Sequence, residues 1–433
     1  RPEADDPLDA RLRPLRRPGL RAPRPRSSAN RPGGYGSIVR VNAAASSSAL
    51  PPSLARPDHL PSLDGLRGLA IVLVLLHNLD VLAPAPGHGL GVGLIKEGLY
   101  LGWIGVQLFF VLSGYLITRG LLASRDQPGW LRDFLVKRGL RILPLYWIAL
   151  LLFTVVLPAL GLPLPHASHF SALWLWLHLS NWTSPFEPDG GPLPHTWSLS
   201  VEEQFYLLWP LLLRRLDLRE IWLLALALIG ISPLLRLMML NLGLPAEALY
   251  TFTISRIDAL AAGAALATWD RGRALEGATR WRSAHLARLS IALLVLTALA
   301  SSGFQRLGAV AQIGGYSLLT LSCTAVLAWA VLCDRARARG ALQGPASRLL
   351  RLPVLASFGQ YSYAIYLVHK PLHDLVGLPL LRRLLGADHT PDPVQALLYL
   401  VAASAVCWLI GALSWRLIER PALALRARWL TPR

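Results

Sequence analysis

Two adjacent glutamates, Glu202 and Glu203, interrupt the apolar and aromatic run "HTWSLSVEEQFYLLWP" at residues 195–210. A charged side chain at the centre of a bilayer costs roughly 2.5–3.5 kcal/mol on insertion scales, so such residues are expected only where a cavity or a partner stabilises them. Adjacent helical positions point about 100° apart, so at most one of the two carboxylates faces a given cavity. A carboxylate there could orient an imidazole, accept a hydroxyl proton or pair with an arginine.

A second pair of polar residues, Arg67 and His77, lies in "LDGLRGLAIVLVLLHN". On a helix that rises about 1.5 Å per residue, His77 lies about 15 Å beyond Arg67. A guanidinium at the mouth of a bundle could hold phosphate groups, and a buried imidazole could take up a proton near neutral pH. Arg67 could equally be a topological anchor, and His77 could simply bond a carbonyl.

Two further arginines, Arg138 and Arg141, precede an apolar run in "KRGLRILPLYW". They are three positions apart and share a helix face, which suits a phosphate-rich ligand. Topology signalling alone would also explain them.

Ser113 follows two phenylalanines in "GWIGVQLFFVLSGYLI" and precedes Gly114. Small residues permit close helix packing, which is the simpler role for this pair. A nucleophilic serine is the alternative, although the strand-turn-helix setting of a nucleophile elbow is absent. In "SRIDALAAGAALA", Arg256 and Asp258 could pair with each other or with the glutamates.

The composition indicates which elements must position these residues. The 433-residue chain is 53% hydrophobic and 16% charged, and its mean hydropathy is +0.43. These values favour a polytopic helical membrane protein over a soluble enzyme. The net charge of +18 comes mostly from arginines between apolar runs, which is a topology signature and argues against nucleic-acid binding. No cysteine spacing predicts a disulfide framework or a metal site.

The predicted fold is all-α: a polytopic integral membrane bundle of about ten transmembrane helices. Apolar runs of roughly the 20 residues needed to cross the hydrocarbon core lie near 66–84, 99–121, 142–160, 197–213, 220–241, 250–269, 287–304, 312–333, 355–378 and 394–415. A shorter Trp-rich run at 170–182 predicts one re-entrant or interfacial segment.

Alternation of ten spans places both termini in the cytoplasm, because the basic clusters then fall on one side of the cell membrane. Residues 1–59 are rich in Arg and Pro and predict a disordered basic tail. Residues 60–420 form the predicted transmembrane domain, and residues 421–433 form a short basic cytoplasmic tail.

Six segments together resemble the membrane-bound acyltransferase 3 family. They are "SLDGLRGLAIVLVLLH", "GVQLFFVLSGYLIT", "RGLRILPLYW", "HTWSLSVEEQFYLLWP", "SRIDALAAGAALA" and "SYAIYLVHKPL". The resemblance implies a multi-helix bundle that transfers acyl groups, usually acetyl from cytoplasmic acetyl-CoA, to hydroxyls of carbohydrates or other acceptors.

The resemblance also implies roles for particular residues. Carried over by position, the first-helix arginine and histidine of the family correspond to Arg67 and His77, the serine to Ser113, the arginine pair to Arg138 and Arg141, and the glutamate to Glu202. Ten residues separate the family's arginine and histidine, whereas nine separate them here, so Asn78 occupies the expected face.

We therefore expect the three arginines to bind the phosphates of an acyl-CoA donor. His77, oriented by Glu202, would deprotonate an acceptor hydroxyl, and a variant mechanism passes through an acyl-enzyme on His77 or Ser113. No metal and no permanently bound cofactor are expected. A transporter or flippase that uses the same buried charges is the alternative, and a structural partner of an envelope complex is a third hypothesis.

Overall fold

The computed structural model describes residues 60–82, 90–161, 172–186, 193–272, 277–300, 304–386 and 389–429. The predicted basic tail at 1–59 and the last residues of the C-terminal tail lie outside this part of the chain. Every element in the described part is helical, and no strand occurs there, so the predicted all-α class is confirmed.

Ten described helices have between 17 and 24 residues, and each predicted apolar run overlaps one of them. Charge-poor apolar runs of this length form helices because every backbone group is then bonded within the segment. The long helices are α1 (Pro61–Asn78), α2 (Ile104–Ser124), α3 (Trp130–Leu151), α4 (Trp197–Leu213), α5 (Leu218–Asn241), α6 (Thr253–Gly272), α7 (Gly277–Ala300), α8 (Tyr316–Ala338), α9 (Pro353–Leu372) and α10 (Pro393–Ser414).

Shorter segments connect or extend the long helices. The short α-helices are Leu90–Tyr100, Leu157–Ala159, Ala172–Trp176, Ser180–Thr183, Ala246–Thr251, Pro345–Leu349, Leu378–Leu385, Arg420–Ala424 and Arg426–Trp429. The 3-10 turns are Leu101–Trp103, Ser184–Phe186 and Pro194–Thr196, and the π-helical turns are Leu152–Val156, Ala311–Gly315, His373–Gly377 and Trp415–Glu419. In the described part of the run at 170–182, from residue 172 onward, the helices have four and five residues and are too short to cross a bilayer.

Five helices of the described part are long and apolar enough to cross a membrane, so the predicted count of about ten spans is not confirmed. When each long helix is counted together with the short helical segments that continue it, the five are Gly91–Ser124, Trp130–Ala159, Leu218–Asn241, Ala311–Ala338 and Pro393–Ala424. Polar residues account for part of the difference. α1 carries Asp64 and Arg67, and α4 has only 17 residues and carries Glu202 and Glu203.

Glycines let the helices at the centre of the bundle touch backbone to backbone. A Cβ atom added to Gly114 on α2 would lie 1.9 Å from the carbonyl oxygen of Leu260 on α6, and one added to Gly263 on α6 would meet the backbone of α2 at 2.0 Å. Gly68 and Gly359 bring α1 and α9 together in the same way. The packing role predicted for Gly114 is confirmed, and these two close pairs fix the helices that carry the candidate site.

Candidate functional site

Two cavities lie among the helices that carry the predicted residues. The first, which we call the arginine cavity, comprises about 730 Å³ of atom-free space, part of it open to the surroundings, and is lined by Arg67, Ser113, Arg138, Arg141 and Glu202. The second, which we call the histidine cavity, comprises about 1020 Å³, part of it open to the surroundings, and is lined by His77, Asn78 and residues outside the predicted site. The structure therefore gathers five of the six predicted residues and places His77 apart from them.

The arginine cavity collects positive charge from two helices. Arg67 comes from α1, and Arg138 and Arg141 come from one face of α3, as their spacing predicts. The Arg138 guanidinium lies 5.2 Å from the centre of the Tyr206 ring, and no carboxylate of the described residues forms an ion pair with Arg138 or Arg141. Guanidinium groups without a carboxylate partner suit the bidentate recognition of phosphate oxygens.

Glu202 belongs to a hydrogen-bonded chain inside the arginine cavity. The Tyr206 hydroxyl donates to Oε2 of Glu202 at 2.7 Å, and the Ser113 hydroxyl lies 2.6 Å from the same Tyr206 oxygen. Because the single Tyr206 proton is directed at Glu202, the Ser113 hydroxyl must donate to Tyr206. Its proton is thus held by a phenol, which is a poor base, and this geometry favours a hydrogen-bonding role for Ser113 over a nucleophilic one.

His77 lies near the C-terminal end of α1, in the wall of the histidine cavity. Its ring packs edge-on against Tyr100 with 5.4 Å between ring centres, and its buried Nδ1 atom has no hydrogen-bond partner among the residues that the structure describes. Asn78 lines the same cavity, and its amide donates to the carbonyl of Val74 at 2.9 Å. His77 and Asn78, the two residues that could correspond to the family's histidine, therefore line the same cavity.

The expected pairing of Glu202 with His77 is not present. Glu202 bonds to Tyr206, and its neighbour Glu203 lines neither cavity. The separation follows from helix geometry: Glu202 faces the end of α1 that carries Arg67, whereas His77 lies about 15 Å farther along that helix.

Two more imidazoles line the histidine cavity, and the predicted site did not include them. His195 Nε2 lies 3.2 Å from the carbonyl oxygen of Leu367, His369 Nδ1 lies 2.6 Å from that of Tyr366, and the two ring centres are 4.9 Å apart. Since a carbonyl only accepts, each of these nitrogens donates.

His195 precedes α4, and burial lowers the pKa of its imidazole well below the ordinary value, which favours the neutral ring. The available sequence signal was the position of His195 seven residues before Glu202.

The two cavities share a wall. Val106 and Tyr366 contribute to both linings. The Tyr366 hydroxyl donates to the carbonyl oxygen of His195 at 2.8 Å and lies 2.5 Å from the hydroxyl of Ser198, which also lines the arginine cavity. Tyr366 therefore forms part of the boundary between the two cavities.

The comparison with known proteins agrees with this architecture. The model of the acyltransferase 3 family, described as an acyltransferase domain, matches residues 60–412. The chain is 30% identical over 382 residues to "Peptidoglycan O-acetyltransferase OatA" of Listeria monocytogenes, an alignment that covers 84% of this chain and 56% of that relative. It is 34% identical over 165 residues to "Putative peptidoglycan O-acetyltransferase YrhL" of Bacillus subtilis, which covers 36% of this chain and 24% of the relative.

The chain thus spans little more than half the length of the first relative. No solved structure matches it. The family model covers most of the chain, including all six segments on which the resemblance rests, and the helices long enough to cross a membrane agree with a membrane-associated family. The chain therefore belongs to the acyltransferase 3 family, as the six segments predicted.

Proposed function

We propose that the protein is an integral membrane O-acyltransferase. It transfers an acyl group, acetyl in the simplest case, from cytoplasmic acyl-CoA to a hydroxyl of a carbohydrate or another cell-envelope or secreted acceptor. The observation that carries the proposal is the pairing of two cavities across Tyr366: three arginines line one, and His77 lines the other. The relatives named as peptidoglycan O-acetyltransferases support a glycan as the acceptor and acetyl as the group.

In this proposal the protein lies in the cell membrane with both termini in the cytoplasm. The donor binds in the arginine cavity, on the cytoplasmic side. Arg67, Arg138 and Arg141 hold the phosphates of the coenzyme, and the thioester extends toward the shared wall. The acceptor enters the histidine cavity from the opposite side. Binding energy from the distant phosphates then positions the thioester for reaction.

The chemical step transfers one proton and exchanges one bond. The acceptor hydroxyl oxygen attacks the thioester carbonyl carbon while His77 takes the hydroxyl proton, and the carbonyl electron pair moves onto oxygen. Collapse of this intermediate breaks the carbon–sulfur bond, and the proton passes from His77 to the departing thiolate. General base catalysis of this kind contributes roughly 10² to 10⁴ in rate. Such a base must be neutral, with one ring nitrogen free to accept.

The test is transfer of radiolabelled acetyl from acetyl-CoA to purified cell-wall glycan by the protein in proteoliposomes. Label covalently attached to the glycan and released by mild base, as an O-ester is, would support the proposal. Movement of a polar solute across the vesicle membrane, without any acyl transfer to glycan or to a secreted metabolite fraction, would overturn it in favour of a transporter.

A further inference from the structure

Arg256 on α6 is a fully buried cation without a carboxylate partner in the part of the chain that the structure describes. Its Nη2 donates to the side-chain oxygen of Gln107, while its buried Nε and Nη1 atoms have no hydrogen-bond partner in the described ranges. Among the described residues no Asp or Glu forms an ion pair with it. The pairing of Arg256 with Asp258 or with the glutamates that the sequence suggested is therefore wrong.

Asp258 pairs instead with a second buried arginine. Arg236 Nη1 lies 3.0 Å from Oδ2 of Asp258 and also donates to the carbonyl oxygen of Ser255, while its Nη2 donates to the Ser317 hydroxyl at 2.9 Å. Both arginines are fully buried, but of the two only Arg236 has a carboxylate partner among the described residues. The surplus positive charge belongs to Arg256.

The position of Arg256 relates this charge to both cavities. Its guanidinium carbon lies 5.8 Å from the centre of the Phe110 ring, which lines the arginine cavity, and 5.1 Å from that of Tyr250, which lines the histidine cavity. It also lies 4.4 Å from the Tyr316 ring. These rings stabilise a buried cation only in part, because cation–π contacts are weaker than the hydration that burial removes.

We propose that Arg256 is a positioning residue for acyl transfer, whose uncompensated charge stabilises the negative charge that develops on the acyl carbonyl oxygen between the two cavities. The inference rests on the proposed function. When the acceptor oxygen bonds to the carbonyl carbon, the carbonyl electron pair becomes an oxyanion until the carbon–sulfur bond breaks. A cation that is already fixed one aromatic ring away stabilises that oxyanion, and the protein does not have to reorganise during the reaction. The same charge remains unpaired in the resting protein.

The test compares Arg256→Met with Arg236→Met, which removes an equally buried but paired guanidinium. For Arg256→Met we expect kcat to fall by on the order of tenfold, with the KM for acetyl-CoA unchanged, because the charge acts on the intermediate and not on the bound donor. Its thermal midpoint should stay level or rise, since an uncompensated buried charge is removed. Arg236→Met should lower the midpoint, because it leaves Asp258 buried and unpaired. Arg256→Lys, which keeps the charge, should recover part of the lost kcat.

The outcomes separate this role from the proposed function. Undiminished kcat in Arg256→Met, or a midpoint that falls as far as in Arg236→Met, would overturn the electrostatic role while leaving the acyltransferase proposal intact. A wild-type protein that transfers no acyl group would overturn both. A lowered kcat with a level midpoint and rescue by lysine would support the role.

Discussion

Arg67 and His77 stand on the same helix, ten positions apart, and line different cavities. Ten residues of α-helix span about 15 Å, so α1 runs the length of the space between an arginine-bearing end and an imidazole-bearing end. Tyr366 on α9 stands between the two ends as part of both linings. Under the proposed function, the helix that anchors the donor therefore also supplies the base for the acceptor.

Replacement of His77 by Gln should lower acyl transfer by about 10² to 10⁴, because the general base is lost. Binding of acetyl-CoA should remain unchanged, because His77 does not line the arginine cavity. The measurements are the rate of label transfer to glycan and the dissociation constant of the donor. Asn78→Ala is the matched control, since its amide bonds to the carbonyl of Val74. Transfer that survives in His77→Gln and disappears in Asn78→Ala would reverse the two assignments.

Replacement of Arg138 or Arg141 by Gln should raise the acetyl-CoA concentration that gives half-maximal rate by roughly tenfold or more. Each variant loses a charge-assisted hydrogen bond to phosphate, which is worth about 1.5–3 kcal/mol. Arg132→Gln lies on the same helix, is exposed and does not line the cavity, so its kinetics should match those of the wild type. Kinetics that change equally in all three variants would indicate a general effect of charge and remove the pair from the donor site.

Ser113→Ala and Tyr206→Phe test the hydrogen-bonded chain against a nucleophilic serine. Ser113→Ala should keep most of the transfer activity, since the alanine removes only a donor to Tyr206. Tyr206→Phe should lower stability by about 1–3 kcal/mol, because Glu202 loses the hydroxyl that donates to it. Thermal unfolding and transfer rate are the readouts. An acyl group found on Ser113 by mass spectrometry of the quenched protein would contradict this assignment.

Gly114→Ala should destabilise the bundle by about 1–3 kcal/mol, the usual cost of overpacking. The added methyl group would lie 1.9 Å from the backbone oxygen of Leu260, so α2 and α6 must move apart. Gly120→Ala on the same helix meets nothing within 4 Å and should be neutral or slightly stabilising. Equal thermal midpoints for the two variants would show that the close contact between α2 and α6 contributes little to stability.

Acid should destabilise the fold through His178, which lies in the short segment before α4. Burial lowers the pKa of this imidazole from 6.5 to about 4, and its ring stacks on Tyr146 with 4.4 Å between centres. The neutral ring is favoured in the folded state, so its contribution is complete above about pH 6.5 and is lost as pH falls toward 4. Thermal midpoints measured across this range should decline less in His178→Phe than in the wild type. A decline as steep in His178→Phe as in the wild type would contradict this assignment.

The positions of the helices could be predicted from the sequence because that information is local. Each apolar run of about 20 residues must bond its own backbone, and each of the ten runs overlaps a long helix. The number that crosses a membrane could not be predicted in this way, because polar residues such as Asp64 and Glu202 lower the hydropathy of helices that other helices cover. Whether a polar residue faces lipid or a neighbour is a property of the packed bundle.

The candidate site was predictable in the same local sense. A spacing of three residues places Arg138 and Arg141 on one face of α3. Because Glu202 and Glu203 are adjacent, their side chains point in different directions, and only Glu202 lines the arginine cavity. The residues themselves, and the family to which they point, were evident in six segments.

The tertiary structure alone decided how these residues are grouped. Residues far apart in sequence meet only where helices touch, and glycine contacts such as Gly114 with Leu260 determine which helix faces lie opposite each other. Within the described ranges, that packing joins Glu202 to Tyr206 instead of His77, brings His195 beside His369, and leaves Arg256 without a carboxylate. Sequence spacing measures distance along one helix, whereas these contacts depend on the distance between helices.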